Sequence, residues 1–204
     1  MSIILVRHGA TALNLARVLQ PPDTPLSAGG FAQAEAVACE LAALRPAGLL
    51  SSDLPRALQT AQAIAQATGL PIATTELLQE RNFGELRGQA YDQLGFDPLT
   101  MAQAPVGGES AEAFERRVAL AFAQVVQRRG ALAGPLVVVT HGLVIRAMLT
   151  GTIGLSADRL AELHIGNTSV TLLAERPPHG VELLNSTRHL EASIQDDARG
   201  LVGG

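Results

Sequence analysis

Short apolar runs alternate along this chain with longer stretches of helical periodicity, and this alternation constrains the fold more than any other feature. Residues 3–6 and 136–139 are continuously apolar, which is typical of strands buried on both faces. Other stretches repeat apolar residues every three or four positions between capping residues, and this pattern predicts helices. The predicted helices begin at Ser27, Leu54, Ser110 and Leu143 and end at Pro46, about Thr68, Gly130 and Leu149.

Strands that alternate with amphipathic helices predict an α/β fold, and specifically a three-layer α/β/α sandwich around one mostly parallel sheet. Further strands are expected at residues 49–50, 169–173 and 181–184. Neither a linker-like stretch nor an internal repeat divides the chain. We therefore expect one domain over residues 1–204, with residues 191–204 as a peripheral tail.

The charged residues of the chain exclude several classes of function. The formal net charge is −4 and the pI is about 5.7, so no general cationic field would attract DNA or RNA. The 15 basic residues are all arginine, and the lack of lysine excludes a lysine Schiff base and the lysine of a phosphate-binding P-loop. Any chemistry on anions must therefore use arginine and histidine.

Cysteine content and hydropathy also bear on the class of protein. The single cysteine, Cys39, excludes an intrachain disulfide and a thiolate metal cluster, and its alanine-rich helical setting predicts a small core residue. The chain reaches Arg7 after a short apolar run, and nowhere has the roughly 20 successive apolar residues of a membrane span. We expect a soluble cytoplasmic protein with neither membranes nor nucleic acids as partners.

Side chains able to bind phosphate follow three of the predicted strands. Arg7 and His8 end the first strand, Arg56 follows the second, and His141 follows residues 136–139. The carboxyl ends of parallel strands share one edge of a sheet, so we expect these side chains to lie close together. A neutral imidazole can attack phosphorus and form a phosphohistidine while neighbouring donors absorb the charge of the phosphoryl group.

A spaced signature opens the chain, and it consists of Arg7, His8, Gly9, Thr11, Asn14 and Gln20. Together with the later motifs, it resembles the histidine phosphatase superfamily, in the branch of cofactor-dependent phosphoglycerate mutases and small broad-specificity phosphatases. The resemblance runs from residue 3 to about residue 190 and implies a phosphoglycerate-mutase-like fold. It also implies that His8 is the nucleophile. By the same resemblance, the phosphoryl oxygens are bound by Arg7, Arg56 and His141.

Glu80 matches the proton donor of that family, and a poor alkoxide leaving group needs such an acid. Burial beside an anionic substrate would raise the Glu80 pKa, which suits both donating a proton and later activating water. Glu85 and Glu109 are rivals for this role. Glu85 lies five residues beyond the family's position, and Glu109 is expected to favour the start of the helix at Ser110 through the helix dipole.

Further contacts with the substrate are expected from Asn14, Gln20, Arg81 and Gly142. Asn167 resembles a family position between two strands, where it would support the site or a turn without taking part in the chemistry.

We expect no metal ion and no cofactor. His164, His179 and His189 are scattered along the chain without the spacing of a helical metal pair. Arg7 and Arg56 at the same place would also repel a divalent cation.

Departures from the family pattern bear on the substrate. Ala10 stands where glutamate is usual, and residues 86–88 read Leu-Arg-Gly where Trp-Glu-Gly is usual, but neither change touches the reacting atoms. Residues 89–108 carry no lysine or arginine, so nothing cationic among them would bind the carboxylate of 3-phosphoglycerate. The apolar side chains of this segment either form a lid that favours aromatic or apolar esters, or simply pack on the domain.

The sequence thus predicts a metal-independent phosphomonoesterase that acts through a phosphohistidine on a small phosphorylated metabolite. The alternatives are a pathway-specific phosphatase, such as one for α-ribazole 5'-phosphate, a phosphoglycerate mutase, and an inactive protein that binds phospho-ligands. The apolar composition also permits a homodimer.

Overall fold

One six-stranded sheet forms the centre of the computed structural model, which describes residues 2–156 and 164–190. The strands are β1 (Ile3–Arg7), β2 (Gly48–Ser51), β3 (Ile72–Thr74), β4 (Leu136–Thr140), β5 (Val170–Leu173) and β6 (Val181–Ser186). Their order in the sheet is β3-β2-β4-β1-β5-β6. The first four neighbours pair in parallel, whereas β5 runs antiparallel to both β1 and β6. The predicted mostly parallel sheet is confirmed.

Helices cover both faces of this sheet, as the three-layer prediction requires. They are α1 (Ala12–Leu15), α2 (Ala28–Ala43), α3 (Pro55–Thr68), α4 (Ala111–Gly130) and α5 (Gly142–Ala147), and α5 continues into a π-helical turn at Met148–Thr152. Alternate side chains of β1 separate the two cores. Ile3 and Leu5 pack in the core that contains α4 and α5, and Ile4 and Val6 pack in the core that contains α2 and α3.

The helix ends show why these boundaries could be anticipated. The Ser27 hydroxyl accepts a hydrogen bond from Gly30 N at 3.0 Å, and the Ser110 hydroxyl accepts one from Ala113 N at 3.1 Å. Gly69 ends α3 with a φ of 72°, a left-handed conformation that glycine adopts without steric cost. Local capping chemistry therefore sets these helix ends.

One local expectation is wrong, and one strand was missed. Cys39 is exposed, because it follows buried Ala38 by a single residue and a helix turns about 100° per residue. The short strand β3 was not predicted, since its three residues are at best half-buried and carry little pattern. The predicted tail at residues 191–204 lies outside the described residues.

The segment at residues 89–108 starts as a ribbon anchored to the loop after α1. Gly88 N donates to Leu19 O at 2.7 Å, Leu19 N donates to Gln89 O at 3.0 Å, and Tyr91 N donates to Arg17 O at 2.9 Å. Beyond Tyr91 the segment forms two 3₁₀ turns, at Tyr91–Gln93 and Pro98–Thr100. Its first residues are thus fixed beside the end of β1.

None of the helices in the described part of the chain is long and apolar enough to cross a bilayer.

Candidate active site

The carboxyl ends of β1 and β4 bring two histidines together. Arg7 pairs with Thr140 across the parallel ladder, so the next residues, His8 and His141, face each other with ring centroids 5.1 Å apart. The neighbouring strand β2 continues into Ser52, whose hydroxyl lies 2.9 Å from His141 Nε2. Three strand ends therefore meet at one buried point.

Two glycines allow the loop that carries His8 to approach α2. A Cβ on Gly9 would lie 2.5 Å from Gly30 O, and a Cβ on Gly30 would lie 2.0 Å from Ala10 O. The close approach is fixed by a hydrogen bond from Ala10 N to the Gln33 side chain at 2.8 Å. The backbone beside His8 is thus held rigidly.

His8 is fully buried and is oriented as a nucleophile. Its Nδ1 lies 2.7 Å from Gly9 O, and because a carbonyl can only accept, Nδ1 carries the proton. Its Nε2 is buried and has no hydrogen-bond partner among the described residues. Burial, and then the charges of Arg56 and Arg7, hold the His8 pKa well below the ordinary value, so the ring is neutral near pH 7. An unprotonated Nε2 lone pair therefore points into the site.

Two buried guanidiniums flank this histidine. Arg7 and Arg56 are each 1% exposed, and burial lowers the pKa of each to about 10, which leaves both charged near neutral pH. Arg7 donates to Ile165 O, but its Nε and Nη2 have no partner in the described part of the chain, and the same is true of Arg56 Nε. Buried cationic donors without acceptors favour an anionic ligand.

His141 and the α1 region add further donors. If Ser52 donates to His141 Nε2, the proton of the ring lies on Nδ1, which is buried and unpartnered among the described residues. Asn14 Oδ1 accepts from Thr11 N at 3.1 Å, which leaves Asn14 Nδ2 free of any described acceptor. Gln20 Nε2 is likewise buried without a described partner. These groups suit the equatorial oxygens of a phosphoryl group.

Glu80 is the carboxyl group at this site. It is 5% exposed, and its two oxygens accept from Arg81 N at 2.9 Å and Leu143 N at 3.2 Å. Burial raises the Glu80 pKa to about 7, against the opposing effect of these two hydrogen bonds and of Arg56 and Arg7. The carboxyl group is thus available in both protonation states near pH 7.

The other two acidic candidates lie elsewhere. Glu85 is exposed on a 3₁₀ turn at Gly84–Leu86. Glu109 lies directly before Ser110, the N-cap of α4, where it forms an ion pair with Arg117 and accepts from Asn82 N at 2.9 Å.

Comparisons with known proteins show the family to which the chain belongs. The family model of the histidine phosphatase superfamily (branch 1) matches residues 3–186. The chain belongs to the histidine phosphatase superfamily. It is 32% identical over 213 residues to the probable phosphoglycerate mutase GpmB of Yersinia pestis strain Pestoides F, which spans 97% of this chain and 98% of that protein.

Two solved structures are similar to this histidine phosphatase. A mycobacterial glucosyl-3-phosphoglycerate phosphatase in complex with VO3 is 29% identical, with a TM-score of 0.78 and coverage of 91% of this chain and 99% of that one. YhfR of Bacillus stearothermophilus is 28% identical, with a TM-score of 0.81 and coverage of 93% and 99%. The family and these structures support a histidine-type phosphatase, an enzyme with a phosphoglycerate-mutase-like fold.

In this histidine phosphatase, Asn167 Nδ2 donates to His8 O at 2.9 Å and so holds the backbone of His8. The four expected contact residues differ in their surroundings. Gly142 is half-buried at the first position of α5, next to His141. Arg81 donates from Nη2 to Met101 O at 2.6 Å, and its guanidinium lies 5.2 Å from the Phe83 ring. Asn14 and Gln20 line the phosphoryl side, as described above.

Sequence reasoning missed Ser52 and Arg87. Ser52 was not predicted as a site residue, although a hydroxyl directly after a strand could have been noted as a site group. Arg87 was treated only as a departure from the family, yet it borders a cavity of about 10 Å³ that is also lined by Gln20, Arg56 and Glu80. Positive charge beside the site therefore comes from residues just before the segment 89–108.

The turn that carries Glu80 is held by one arginine of α4. Arg117 Nη1 donates to Leu77 O at 2.9 Å and to Gln79 O at 2.7 Å, while Nη2 reaches Glu80 O at 3.4 Å. The same guanidinium is paired with Glu109, and the two side chains are 20% and 18% exposed. Arg117 thus positions the backbone beside the Glu80 carboxyl group without touching that group itself.

Replacing Arg117 with alanine is expected to lower kcat for alkyl phosphates by about 10- to 100-fold. The rate of the first-turnover burst of p-nitrophenol is expected to fall far less, since a good leaving group needs little help from an aligned Glu80. Rapid-mixing kinetics with both esters measures this difference. Arg116→Ala, which removes an exposed neighbour in α4, is the control and is expected to leave both rates unchanged. Equal losses with both esters would mean that Arg117 only stabilises the fold.

Proposed function

We propose that this chain hydrolyses phosphomonoesters of a small metabolite in two steps, through a phosphohistidine at His8 and without a metal ion. The observation that supports this most directly is the unpartnered, unprotonated Nε2 of His8 between the buried guanidiniums of Arg7 and Arg56. A nucleophile and an anion-binding set thus face the same space.

In the first step, the unpartnered donors of Arg7, Arg56, Asn14 and His141 bind the phosphoryl oxygens. His8 Nε2 attacks phosphorus, the bond from phosphorus to the ester oxygen breaks, and Glu80 gives its proton to the departing oxygen. Proton donation to an alkoxide is worth about 10²- to 10⁴-fold in rate. The products are the free alcohol, a phosphohistidine and the Glu80 carboxylate.

In the second step, the Glu80 carboxylate takes a proton from water as the water oxygen attacks phosphorus. The bond between phosphorus and Nε2 breaks, which restores neutral His8 and releases inorganic phosphate. Glu80 ends the cycle protonated, as it began. A pKa of about 7 suits a group that acts as acid and then as base.

A phosphoglycerate mutase is the second candidate, because the GpmB relative carries that name and Arg81 and Arg87 place positive charge beside Glu80. Hydrolysis is favoured because residues 89–108 bring no cation to hold a phosphoglycerate for the return transfer. The similarity to a solved phosphatase also favours hydrolysis.

The test is phosphate release from p-nitrophenyl phosphate and 3-phosphoglycerate in the presence of EDTA. We expect steady release of inorganic phosphate without added metal and competitive inhibition by vanadate, which mimics the transferring phosphoryl group. Among the described residues, no cluster of three or more His, Cys, Asp or Glu side chains could hold a metal ion. Conversion of 3-phosphoglycerate to its 2-isomer without phosphate release would establish the mutase, and strict dependence on a divalent ion would contradict the proposed mechanism.

A further inference from the structure

An open groove of about 580 Å³ lies between α1 and the turn at Tyr91–Gln93. Its volume is that of a site for a small organic molecule. Leu15 and Phe96, on its walls, are 53% and 48% exposed, which is high for large apolar side chains without a ligand. Arg17 of the groove is two residues from Leu19, which lines the small cavity beside Glu80, so the loop after α1 connects the groove to the site.

Tyr91 lines this groove, and its hydroxyl takes part in none of the contacts that hold the site together. The hydroxyl oxygen is buried and has no hydrogen-bond partner among the described residues. A buried hydroxyl without a partner is costly, so a ligand that accepts a hydrogen bond there is favoured. Tyr91 also interacts electrostatically with both Glu80 and Arg7, so its hydroxyl lies in the same region of the molecule as these two groups.

The tyrosine is both protonated and fixed in place. Burial, and then the charge of Glu80, raise the Tyr91 pKa above its ordinary value, so the hydroxyl keeps its proton near pH 7. The hydrogen bond from Tyr91 N to Arg17 O, at 2.9 Å, and the isolated bridge between Val18 and Ala90 hold its backbone. The hydroxyl is therefore a preorganised donor.

The charges of the groove indicate what it binds. Its lining contains one guanidinium, that of Arg17, and two carboxylates, those of Asp92 and Asp97. The net charge of the lining is thus −1, which disfavours a second anionic group on the substrate. Apolar walls and a hydroxyl donor instead suit an uncharged organic group with hydroxyl or ring atoms.

We propose that this groove binds the leaving-group part of the ester, an uncharged alcohol, and that the Tyr91 hydroxyl donates a hydrogen bond to the substrate where it emerges from the phosphoryl-binding donors. The inference rests on the proposed phosphatase function and names its substrate class. Esters whose alcohol carries a carboxylate are the disfavoured class.

Tyrosine fluorescence tests binding without turnover. Tyr91 is the only tyrosine and the chain has no tryptophan, so its emission reports on this groove alone. In a full-length His8→Ala variant, titration with glycerol 1-phosphate is expected to change the emission until the site is saturated. An unchanged emission, with binding shown independently by calorimetry, would overturn the role of Tyr91.

Kinetics then test the groove itself with a matched pair of esters. Glycerol 1-phosphate and 3-phosphoglycerate differ only in a hydroxymethyl group and a carboxylate. We expect kcat/KM to favour glycerol 1-phosphate by about tenfold or more, and Tyr91→Phe to lower its kcat/KM by about 10- to 100-fold, the loss typical of one hydrogen bond to a charged substrate. A preference for 3-phosphoglycerate would contradict the proposed substrate class.

A substitution that fills part of the groove tests whether the leaving group binds there. Ala16→Phe narrows the groove and is expected to lower kcat/KM for glycerol 1-phosphate while the inhibition constant of inorganic phosphate stays unchanged. The control is Ala111→Phe, which narrows a separate cavity of about 270 Å³ near Phe114 and is expected to have no effect. The reverse pattern would place the leaving group in that second cavity. If the native chain releases phosphate from no ester, the proposed function fails, but the His8→Ala titration still tests the groove.

Discussion

Replacing His8 with alanine is expected to lower kcat by at least about 10⁴-fold, the scale seen when a covalent nucleophile is removed. No other described side chain combines an unprotonated, unpartnered ring nitrogen with the flanking guanidiniums of Arg7 and Arg56. Rapid quenching of the native enzyme and labelled substrate in alkaline denaturant is expected to trap an acid-labile phosphoryl group on His8, and the variant is expected to carry none.

Two controls distinguish the loss of the nucleophile from a loss of folding or of phosphate binding. His8→Asn retains a polar side chain of similar length and is expected to be equally inactive. Both variants should still bind inorganic phosphate, since Arg7, Arg56 and Asn14 remain in place. Activity within tenfold of native in either variant, or a label on another residue, would exclude His8 as the nucleophile.

Glu80→Gln is expected to have the next largest effect, and its size depends on the leaving group. Alkyl phosphates should react about 10²- to 10⁴-fold more slowly, because the departing alkoxide no longer receives a proton. With p-nitrophenyl phosphate, the first step needs little acid, but the second still needs Glu80 to activate water. Rapid mixing should therefore show a burst of p-nitrophenol close to the enzyme concentration, followed by a slow phase.

The pH dependence of kcat/KM distinguishes Glu80 from Glu85 as the proton donor. The Glu80 pKa is raised to about 7, and the first step uses the protonated form, so kcat/KM for an alkyl phosphate should fall as the pH rises through about 7. The His8 pKa lies well below its ordinary value, so the nucleophile stays neutral through that range. Glu80→Gln should remove the alkaline fall, whereas Glu85→Gln should keep the native profile, and an unchanged profile in Glu80→Gln would assign the proton to another group.

The fold was predictable where local chemistry determined it. The apolar run before Arg7 and the caps Ser27 and Ser110 define β1, α2 and α4 through contacts a few residues apart. The grouping of His8 with His141 could be anticipated because parallel strands end at a common edge.

Contacts between distant residues could not be read from such patterns. Arg117 holds the Glu80 turn across about 40 positions, and nothing around Arg117 in the sequence marks it out from exposed Arg116. Tyr91 was not predicted as a site residue, because only the folded chain shows that its hydroxyl is buried and interacts electrostatically with Arg7 and Glu80. The prediction that Cys39 is a core residue was wrong because apolar neighbours in the sequence do not determine which face of a helix a residue occupies.

The buried guanidiniums of Arg7 and Arg56 also affect the stability of the folded protein. Two cations in the interior, opposed by the carboxyl group of Glu80, make the empty enzyme less stable than its packing alone would allow. An anion that binds only the native state shifts the folding equilibrium toward it, so we expect inorganic phosphate to raise the free energy of unfolding of this protein. Replacing either arginine with an uncharged residue would remove the cost of burying its charge, but it would also remove a donor of the anion-binding site. We therefore expect that the centre of the molecule cannot be stabilised in this way without loss of activity.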